Sequence, residues 1–529
     1  MSKNLKNIGV VAFATVLSRV LGLVRESAAA AVFGASALNS AFTTAFTLPN
    51  LFRRLLGEGA LTAAFVPTLT HELEKNDRAG AFRLVSKVSS WLAVVTTGIV
   101  TLAILVFWNA EPLVRVAGSW GLEADTARRL LLGADLAIVL FPYMIFVCLA
   151  AAFSAACQVL GRFAEPALSP VWLNVTILSS LGLGAWWAWG DASRMNLLCF
   201  GVLVGGFLQM AVPAGVLWGE GWRPAFDLRA DERVREIIRL MGPTVIGSAI
   251  YLINISVSRF VGLSLNDAAA TVLNLATRLM ELPIGVFTIA IATVVFPLIA
   301  RHAAKQDWAA LTADYHKGLR LVLVINVPAA LGLALLAEPI IRLLFQHGAF
   351  KASDTALMTP VLAAYALGLP FISFTSLALR GFYALRDTAT PVRAAALSFA
   401  INLGLSLVLM QWLSTVGLAL ASTAAVLAQA VFLQTRLARK HAGFSVAPLL
   451  PNLGKIAAAT ALMSALVWGG VRGIGALGAG RATTDLLCVA GLIPLAAALY
   501  GALLWVWRIE GREDIEQVLL KIRAKFGGS

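Results

Sequence analysis

The sequence predicts an all-α integral membrane protein. Of its 529 residues, 59% are hydrophobic and 13% are charged, whereas soluble domains average roughly 45–50% apolar and 25% charged residues. The mean hydropathy is +0.82. Apolar runs of about 20 residues, the length that crosses a hydrocarbon core of about 30 Å, recur along the whole chain with only short polar breaks. We therefore expect a polytopic bundle without a soluble domain.

The apolar runs predict about fourteen membrane helices. Several of the breaks contain a proline that opposes helix continuation, as at Glu165-Pro166 and between Asp387 and Pro391. The predicted helices cover residues 8–34, 37–70, 86–108, 129–157, 166–189, 195–218, 236–263, 268–300, 318–345, 355–385, 391–412, 415–436, 453–473 and 485–507.

Lysine and arginine are distributed unevenly between the two sides of this pattern. One side receives Lys75, Arg83, Arg233 and the basic C-terminal tail, whereas the opposite side has far fewer, among them Arg115 and Arg342. Because cytoplasmic loops carry the excess of basic residues, both termini are predicted to be cytoplasmic. The net charge of +14 is therefore attributed to membrane topology and not to nucleic-acid binding.

The two ends of the chain have distinct predictions. The start resembles a signal peptide, but Arg19 interrupts its apolar run, so we expect a retained first helix. Residues 509–529 place apolar side chains on one face of a basic segment, which predicts an amphipathic helix on the cytoplasmic leaflet. A frayed basic tail is the alternative.

Two polar loops follow one pattern at an offset of 230 residues. "AFVPTLTHELEKND" (64–77) and "VVFPLIARHAAKQD" (294–307) pair Pro67 with Pro297 and Asp77 with Asp307. Chance similarity between apolar segments is the alternative. A repeat of six helices gives two lobes of the same orientation, related by pseudo-twofold symmetry around a central cavity. The predicted parts are an N-lobe over 1–220 (helices 1–6), a C-lobe over 221–445 (helices 7–12), and helices 13 and 14 over 446–508.

Six arginines lie inside predicted membrane segments. A charged group at the centre of a membrane helix costs about 2.5–3.5 kcal/mol, so such residues should face a partner or a water-filled cavity. Guanidinium groups match phosphate oxygens in bidentate geometry, which predicts a phosphorylated, anionic head group as cargo. One alternative is that an arginine side chain snorkels to the membrane interface, chiefly at two of the six positions. Another is that Arg19 forms an ion pair with Glu26 or Glu58. The six are Arg19, Arg25, Arg53, Arg278 and, as the two candidates for snorkelling, Arg54 and Arg259.

Other polar residues give weaker signals. Asn174 is either a cavity group or an interhelical hydrogen-bonding residue. The four cysteines and five histidines lack the spacing of a metal site, so neither a metal nor another cofactor is expected. An integral-membrane enzyme acting on a lipid carrier would need an acid pair, an acidic metal cluster or a positioned histidine. The intramembrane acids form no such group, so an enzyme is disfavoured.

The arginine-bearing motifs resemble the MurJ/MviN family of lipid II flippases, within the multidrug/oligosaccharidyl-lipid/polysaccharide exporter superfamily. The resemblance covers nearly the whole chain in order and is close in several stretches. These include "SRVLGLVRE" (18–26), "AFTLPNLFRRLLGEGALTAAFVP" (45–67), "TRLMELPIGVF" (277–287) and "GFYALRDTATPV" (381–392).

The resemblance implies a flippase that moves lipid II, the undecaprenyl-pyrophosphate-linked wall precursor, to the outer leaflet of the bacterial cytoplasmic membrane by alternating access. It implies a central cationic cavity, with helices 13 and 14 forming a groove for the lipid tail. An exporter of another polyprenyl-pyrophosphate-linked glycan is the alternative. Expected partners are lipid II, membrane lipids and cell-wall synthesis proteins, and transport is coupled to an ion or to the membrane potential. The implied substrate-binding residues are Arg19, Arg25, Arg53, Glu58 and Arg278.

Two positions depart from the family pattern. Ser40 and Thr277 stand where family members often have an acid. The cavity is therefore expected to be more positive, and any ion coupling or arginine positioning that relies on those carboxylates is in doubt. Ser40 joins Arg54, Arg259 and Asn174 as a further candidate site residue.

Overall fold

The computed structural model describes residues 3–52, 61–119, 123–187, 189–478 and 480–509, and within these ranges all regular structure is helical. Two π-helical turns, Ile284–Thr288 and Leu487–Leu492, interrupt the α-helices, and short 3-10 turns cover Ala442–Phe444 and Ala447–Leu449. The α-helices are α1 (Lys3–Phe33), α2 (Ala37–Phe52), α3 (Leu61–Trp108), α4 (Ala110–Ser119), α5 (Ala124–Leu140), α6 (Tyr143–Val159), α7 (Ala164–Trp186), α8 (Asp191–Gly219), α9 (Glu232–Leu265), α10 (Ala269–Pro283), α11 (Ile289–Ala304), α12 (Trp308–Leu335), α13 (Ala337–Phe345), α14 (Ala352–Ala366), α15 (Leu369–Ala384), α16 (Ala389–Lys440), α17 (Leu450–Ala476), α18 (Arg481–Leu486) and α19 (Ile493–Val506).

The helices have the length and apolarity of a multi-pass membrane protein. Among the described residues, eight helical segments are suited to crossing a bilayer, or nine if α5 and α6 form one span bent by 44°. That bend coincides with Pro142, which cannot donate a backbone hydrogen bond. The predicted all-α membrane class is therefore confirmed.

Helix α3 is two helices joined by a tight reversal. Its 48 residues would extend about 72 Å if straight, more than twice a hydrocarbon core. Asp77 interrupts it with φ 56° and ψ −170°. Glu72 and Lys87 both reach the start of α9, at Arg233 (2.7 Å) and Asp231 (2.6 Å) respectively, which requires the chain to fold back. The sequence predicted a short polar loop between the helices 37–70 and 86–108, but helix continues on both sides of the break at Asn76 and Asp77.

Helix α16 also contains a reversal, at Ser414, where φ is 48° and ψ is −131°. A Cβ atom at Gly417 would overlap the backbone carbonyl of Leu409. Residues eight positions apart in a straight helix lie about 12 Å from each other, so this proximity also requires the chain to fold back. The break falls between the predicted helices 391–412 and 415–436.

The first compact unit consists of the described residues of Met1–Asn274 together with His347–Lys351. Helix α7 packs against α8 and α1, α3 against α6 and α9, and α2 against α5. Its apolar core includes Leu140, Tyr143 and Met144, which are completely buried. The boundary of this unit lies within α10. The two lobes over 1–220 and 221–445, related by pseudo-twofold symmetry, stay a prediction.

The second compact unit consists of the described residues of Leu275–Gln346 and Ala352–Ser529. One apolar cluster joins α11, α12, α15 and α16 around side chains such as Leu319 and Phe382. Another joins α12, α17 and α19 around Ile456 and Tyr500. These two clusters hold α11, α12, α15, α16, α17 and α19 against one another.

Candidate functional site

Arg25 on α1 is held by two side chains of the first unit. Its Nη1 donates to Asn174 Oδ1 on α7 at 3.1 Å, and its Nη2 donates to Glu26 Oε1 at 2.6 Å. Asn174 Nδ2 in turn donates to the Ser18 carbonyl at 3.2 Å. The amide therefore bridges α1 and α7 and fixes the guanidinium plane. Only 14% of the Arg25 side chain is exposed.

Glu26 connects this arginine to the start of α10. Its side chain is 13% exposed, and its Oε2 accepts from Asn274 Nδ2 at 3.3 Å. The alternative reading of the sequence paired Glu26 with Arg19, and Asn274 was not among the predicted site residues. Two sequence signals were available: Glu26 directly follows Arg25, and Asn274 lies one helical turn before Arg278.

Arg19 is exposed, in contrast to Arg25. Helix α1 is continuous through Gly22, so a spacing of six positions separates the two arginines by about 9 Å along the axis and about 120° of rotation. A Cβ at Gly22 would lie 4.0 Å from Asn174 Nδ2, an ordinary contact. The predicted role of Arg19 in substrate binding stays a prediction.

Arg259 links α9 to α2. It is partly buried, and its Nη1 donates to Thr47 Oγ1 at 3.0 Å. Thr47 lies in the "AFTLPN" motif, directly before the segment that carries Arg53 and Arg54. Residues 53–60 lie outside the described residues, so the predictions for Arg53, Arg54 and Glu58 are not tested by the structure.

Ser40 is completely buried against the turn between α9 and α10. Its hydroxyl donates to the Asp267 carbonyl at 2.6 Å, accepts from the Thr271 backbone N–H at 3.2 Å and lies 3.0 Å from Thr271 Oγ1. A carboxylate here would oppose the carbonyl of Asp267, because both are acceptors. The serine therefore fits this turn through a donor that an acid lacks when ionised.

Arg129 on α5 secures the same turn, although it was not among the predicted site residues. It is 7% exposed. Its guanidinium donates to the carbonyls of Leu263 and Ser264, both at 3.1 Å, and to Asp267 Oδ1 at 3.2 Å. A cation beside the last carbonyls of α9 is electrostatically favourable. The position of Arg129 directly after a polar segment of the sequence did not indicate that its side chain is buried.

Arg278 lies on α10 in the second unit. Its Nη1 contacts Glu281 Oε2 at 2.8 Å, one turn further along the same helix. The two side chains are 26% and 43% exposed. Glu281 thus supplies a carboxylate next to Arg278 although Thr277 does not.

The thiols and acids show no metal-site geometry among the described residues. The four cysteines are buried and free, as expected for packing residues. No group of three His, Cys, Asp or Glu side chains in the described ranges is arranged to hold a metal ion.

A family model described as "Lipid II flippase MurJ" matches residues 29–474. The chain belongs to the MurJ family. A "Probable lipid II flippase MurJ" of Rhizobium meliloti (strain 1021) is 33% identical over 502 residues, covering 94% of this chain and 92% of the relative. One from Vibrio cholerae serotype O1 is 34% identical over 440 residues, covering 80% and 81%. Membership of the MurJ family confirms the resemblance seen in the arginine motifs.

Solved structures support the fold assignment. A structure of lipid II flippase MurJ in an inward closed conformation matches with a TM-score of 0.75 at 23% identity, covering 94% of this chain and 98% of that one. An inward-facing MATE family transporter of the MOP superfamily matches with a TM-score of 0.64 at 14% identity, covering 80% and 95%. Both likenesses show that this chain shares the fold of these solved structures.

Proposed function

We propose that this MurJ-family chain is a lipid II flippase and not an enzyme. It moves the polyprenyl-pyrophosphate-linked wall precursor from the inner to the outer leaflet of the bacterial cytoplasmic membrane by alternating access. The observation that carries the proposal is the Arg25 guanidinium, 14% exposed within α1 and oriented by Asn174, in a chain whose relatives are named as lipid II flippases.

The chemistry of Arg25 suits a diphosphate. A guanidinium has five N–H donors in a fixed fork, and the hydrogen bonds to Asn174 and Glu26 use two of them. The neighbouring Glu26 carboxylate partly offsets the positive charge, which makes the empty site less costly to bury. When a diphosphate binds, its oxygens offset the charge of Arg25 in addition to Glu26 and accept charge-assisted hydrogen bonds from the guanidinium. Release on the other side of the membrane then requires only that the helices around Arg25 rearrange.

Fourteen membrane crossings, with both termini cytoplasmic, are part of this proposal. The reversals at Asp77 and Ser414 each divide one long helix into two, and six of the proposed crossings each combine two helical segments. The proposed crossings are α1, α2 with the start of α3, the rest of α3, α5–α6, α7, α8, α9, α10–α11, α12–α13, α14–α15, the two halves of α16, α17, and α18–α19.

The predicted parts complete the proposed mechanism. We propose that residues 1–220 and 221–445 form the two lobes, and that Arg19, Arg25, Arg53 and Arg278 are the substrate-binding arginines. Helices over 446–508 hold the lipid tail. Apart from Ile509, the amphipathic tail predicted over 509–529 lies outside the described residues. Cell-wall synthesis proteins are the further proposed partners.

Coupling to the membrane potential is proposed for the return of the empty carrier. Moving one elementary charge through the field is worth about 2.3 kcal/mol per 100 mV. With acids absent at Ser40 and Thr277, a cavity rich in arginine carries net positive charge through part of that field. Transport that is unaffected when the potential is collapsed would remove this part of the proposal.

The test uses a depletion strain that depends on the plasmid-borne chain. Arg25→Ala is expected to lower the lipid II reaching the outer leaflet at least about tenfold at normal membrane abundance, because charge-assisted bonds to the cargo are lost. Arg115→Ala is the matched control, because Arg115 is 78% exposed and pairs only with Glu111 in the described structure. Full complementation by Arg25→Ala would contradict the site. Accumulation of a different lipid-linked glycan on depletion would favour the alternative exporter.

A further inference from the structure

A π-helical turn separates the Arg278 segment from the rest of its predicted membrane crossing. Helix α10 ends at Pro283, the turn covers Ile284–Thr288, and α11 follows. A π turn bonds each N–H to the carbonyl five residues back, so it contains one residue more than an α-helical turn. One extra residue rotates the preceding helix by about 100° relative to the following one. The direction in which Arg278 points from α11 therefore depends on this turn.

The last residue of the turn, Thr288, is its single polar residue and is completely buried. Its Oγ1 lies 2.7 Å from Ser373 Oγ on α15 and accepts from Asn326 Nδ2 on α12 at 3.2 Å. Ser373 and Asn326 are also completely buried. We call these three side chains the Thr288 triad.

The triad sits where an unpaired polar group would be costly. Apolar residues of α11, α12 and α15, including Val295, Leu319 and Leu377, form one buried cluster in the same unit. In such surroundings, hydroxyl and amide groups must find partners. Rotation of Thr288 away from α12 and α15 would leave two other buried polar groups with one partner fewer. The triad therefore favours the register in which Thr288 faces those helices.

We propose that Thr288, Ser373 and Asn326 are positioning residues for Arg278. They hold the π turn in its register, and the turn sets the direction of α10, which carries Arg278 and Glu281. If the turn relaxed to α-helix while α11 stayed docked, the side chain of Arg278 would move about 8 Å around the helix axis. The inference rests on the proposed function, because it assigns the Arg278 segment the task of meeting the lipid-linked anion.

The test compares variants that differ by one hydroxyl. Thr288→Val removes the hydroxyl at nearly constant volume, and Thr288→Ser retains it. Thr312→Val is the matched control, since Thr312 is a buried residue of α12 whose hydroxyl bonds only the carbonyls of its own helix in the described structure. Membrane abundance is measured for every variant.

The first readout is structural and independent of transport. Spin labels are placed at Leu282 on α10 and Leu367 before α15, which are 39% and 46% exposed; the four native cysteines are buried. Thr288→Val is expected to shift or broaden the distance between the labels by several Å, whereas Thr288→Ser and Thr312→Val preserve it, because the triad needs only the hydroxyl. An unchanged distance in Thr288→Val overturns the proposal.

The second readout is lipid II flipping. Thr288→Val is expected to lower the flipping rate at least about tenfold, because misplaced binding groups lose effective contact with the cargo. Thr288→Ser is expected to flip lipid II at the rate of the unaltered chain. A changed distance with full flipping, or an equal loss in Thr312→Val, overturns the positioning role. If the unaltered chain flips no lipid II while Thr288→Val still shifts the distance, the proposed function fails and the role of the triad in orienting α10 stands.

Discussion

Substitution of Gly348 tests a close backbone approach in the first unit. The loop His347–Lys351 belongs to this unit, and the Ala349 N–H donates to the Ala31 carbonyl at 2.7 Å. Gly348 has φ +57°, and a Cβ there would overlap the Ala31 carbonyl oxygen and lie 3.1 Å from its carbon. Gly348→Ala is therefore expected to open this contact.

The expected magnitude follows from two terms. A left-handed backbone costs a non-glycine residue about 1–2 kcal/mol, and losing the Ala349 hydrogen bond costs about 0.5–1.5 kcal/mol. A total of about 1.5–3.5 kcal/mol raises the local opening equilibrium about 10- to 400-fold. Hydrogen–deuterium exchange of peptides covering Ala349 measures this change in detergent-solubilised protein.

The matched control is Gly161→Ala. Gly161 has φ +78°, but beyond its own chain neighbours no described heavy atom lies within 4 Å of its Cβ position. It carries the backbone cost without the overlap, so exchange at Ala349 should not change. A rise of less than about threefold at Ala349 in Gly348→Ala would refute the close approach as the reason for glycine at this position.

Three further predictions concern the reversal in α3, the loop before α16 and the Arg25 site. Asp77→Gly is expected to stabilise the protein by about 1 kcal/mol, because glycine adopts positive φ without cost; a lower midpoint of chemical unfolding would contradict this. Burial raises the pKa of Asp387, but a backbone N–H and the Lys440 ammonium (2.9 Å) outweigh it and lower the pKa to about 2. Because the folded pKa lies below the unfolded value of 3.8, the carboxylate stabilises the fold above about pH 4 and loses this effect as the pH falls towards 2. Asp387→Asn should therefore cost about 1–2 kcal/mol at pH 7, after discounting for solvent, and much less at pH 2.5; an equal cost at both pH values would refute it. Asn174→Ala removes the acceptor that orients Arg25 and is expected to lower lipid II flipping about tenfold with unchanged abundance, and an unaffected rate would show that this orientation is not needed.

The sequence was most informative where a physical constraint acts over a few residues. Apolar runs predicted the membrane helices because the bilayer core demands a minimum length of apolar helix. The same rule was wrong for residues 71–85, because it predicts that a polar stretch between two apolar runs is a loop. Polar residues end the membrane-embedded part of a helix, but they do not end the helix itself, so α3 continues on both sides of Asp77.

Buried polar partners were harder to predict. Arg129 stands at the start of the predicted helix 129–157 and was not among the predicted site residues, yet it donates to the last carbonyls of α9 from a buried position. The triad partners Ser373 and Asn326 lie 85 and 38 positions from Thr288. Such pairs produce no periodic pattern in the sequence, because each of these polar residues can lie on either the buried or the exposed face of a helix.

By itself, the sequence determined that this chain is a helical membrane protein with arginines placed where lipid would not tolerate them. It also identified the family through the motifs that carry those arginines. Tertiary structure alone decided that Arg25 is held by an asparagine 149 positions away and that Glu26 meets one 248 positions away. The reason is physical: hydrophobicity and helix propensity act along the chain, whereas a buried hydrogen bond forms only between groups that packing has brought within about 3 Å.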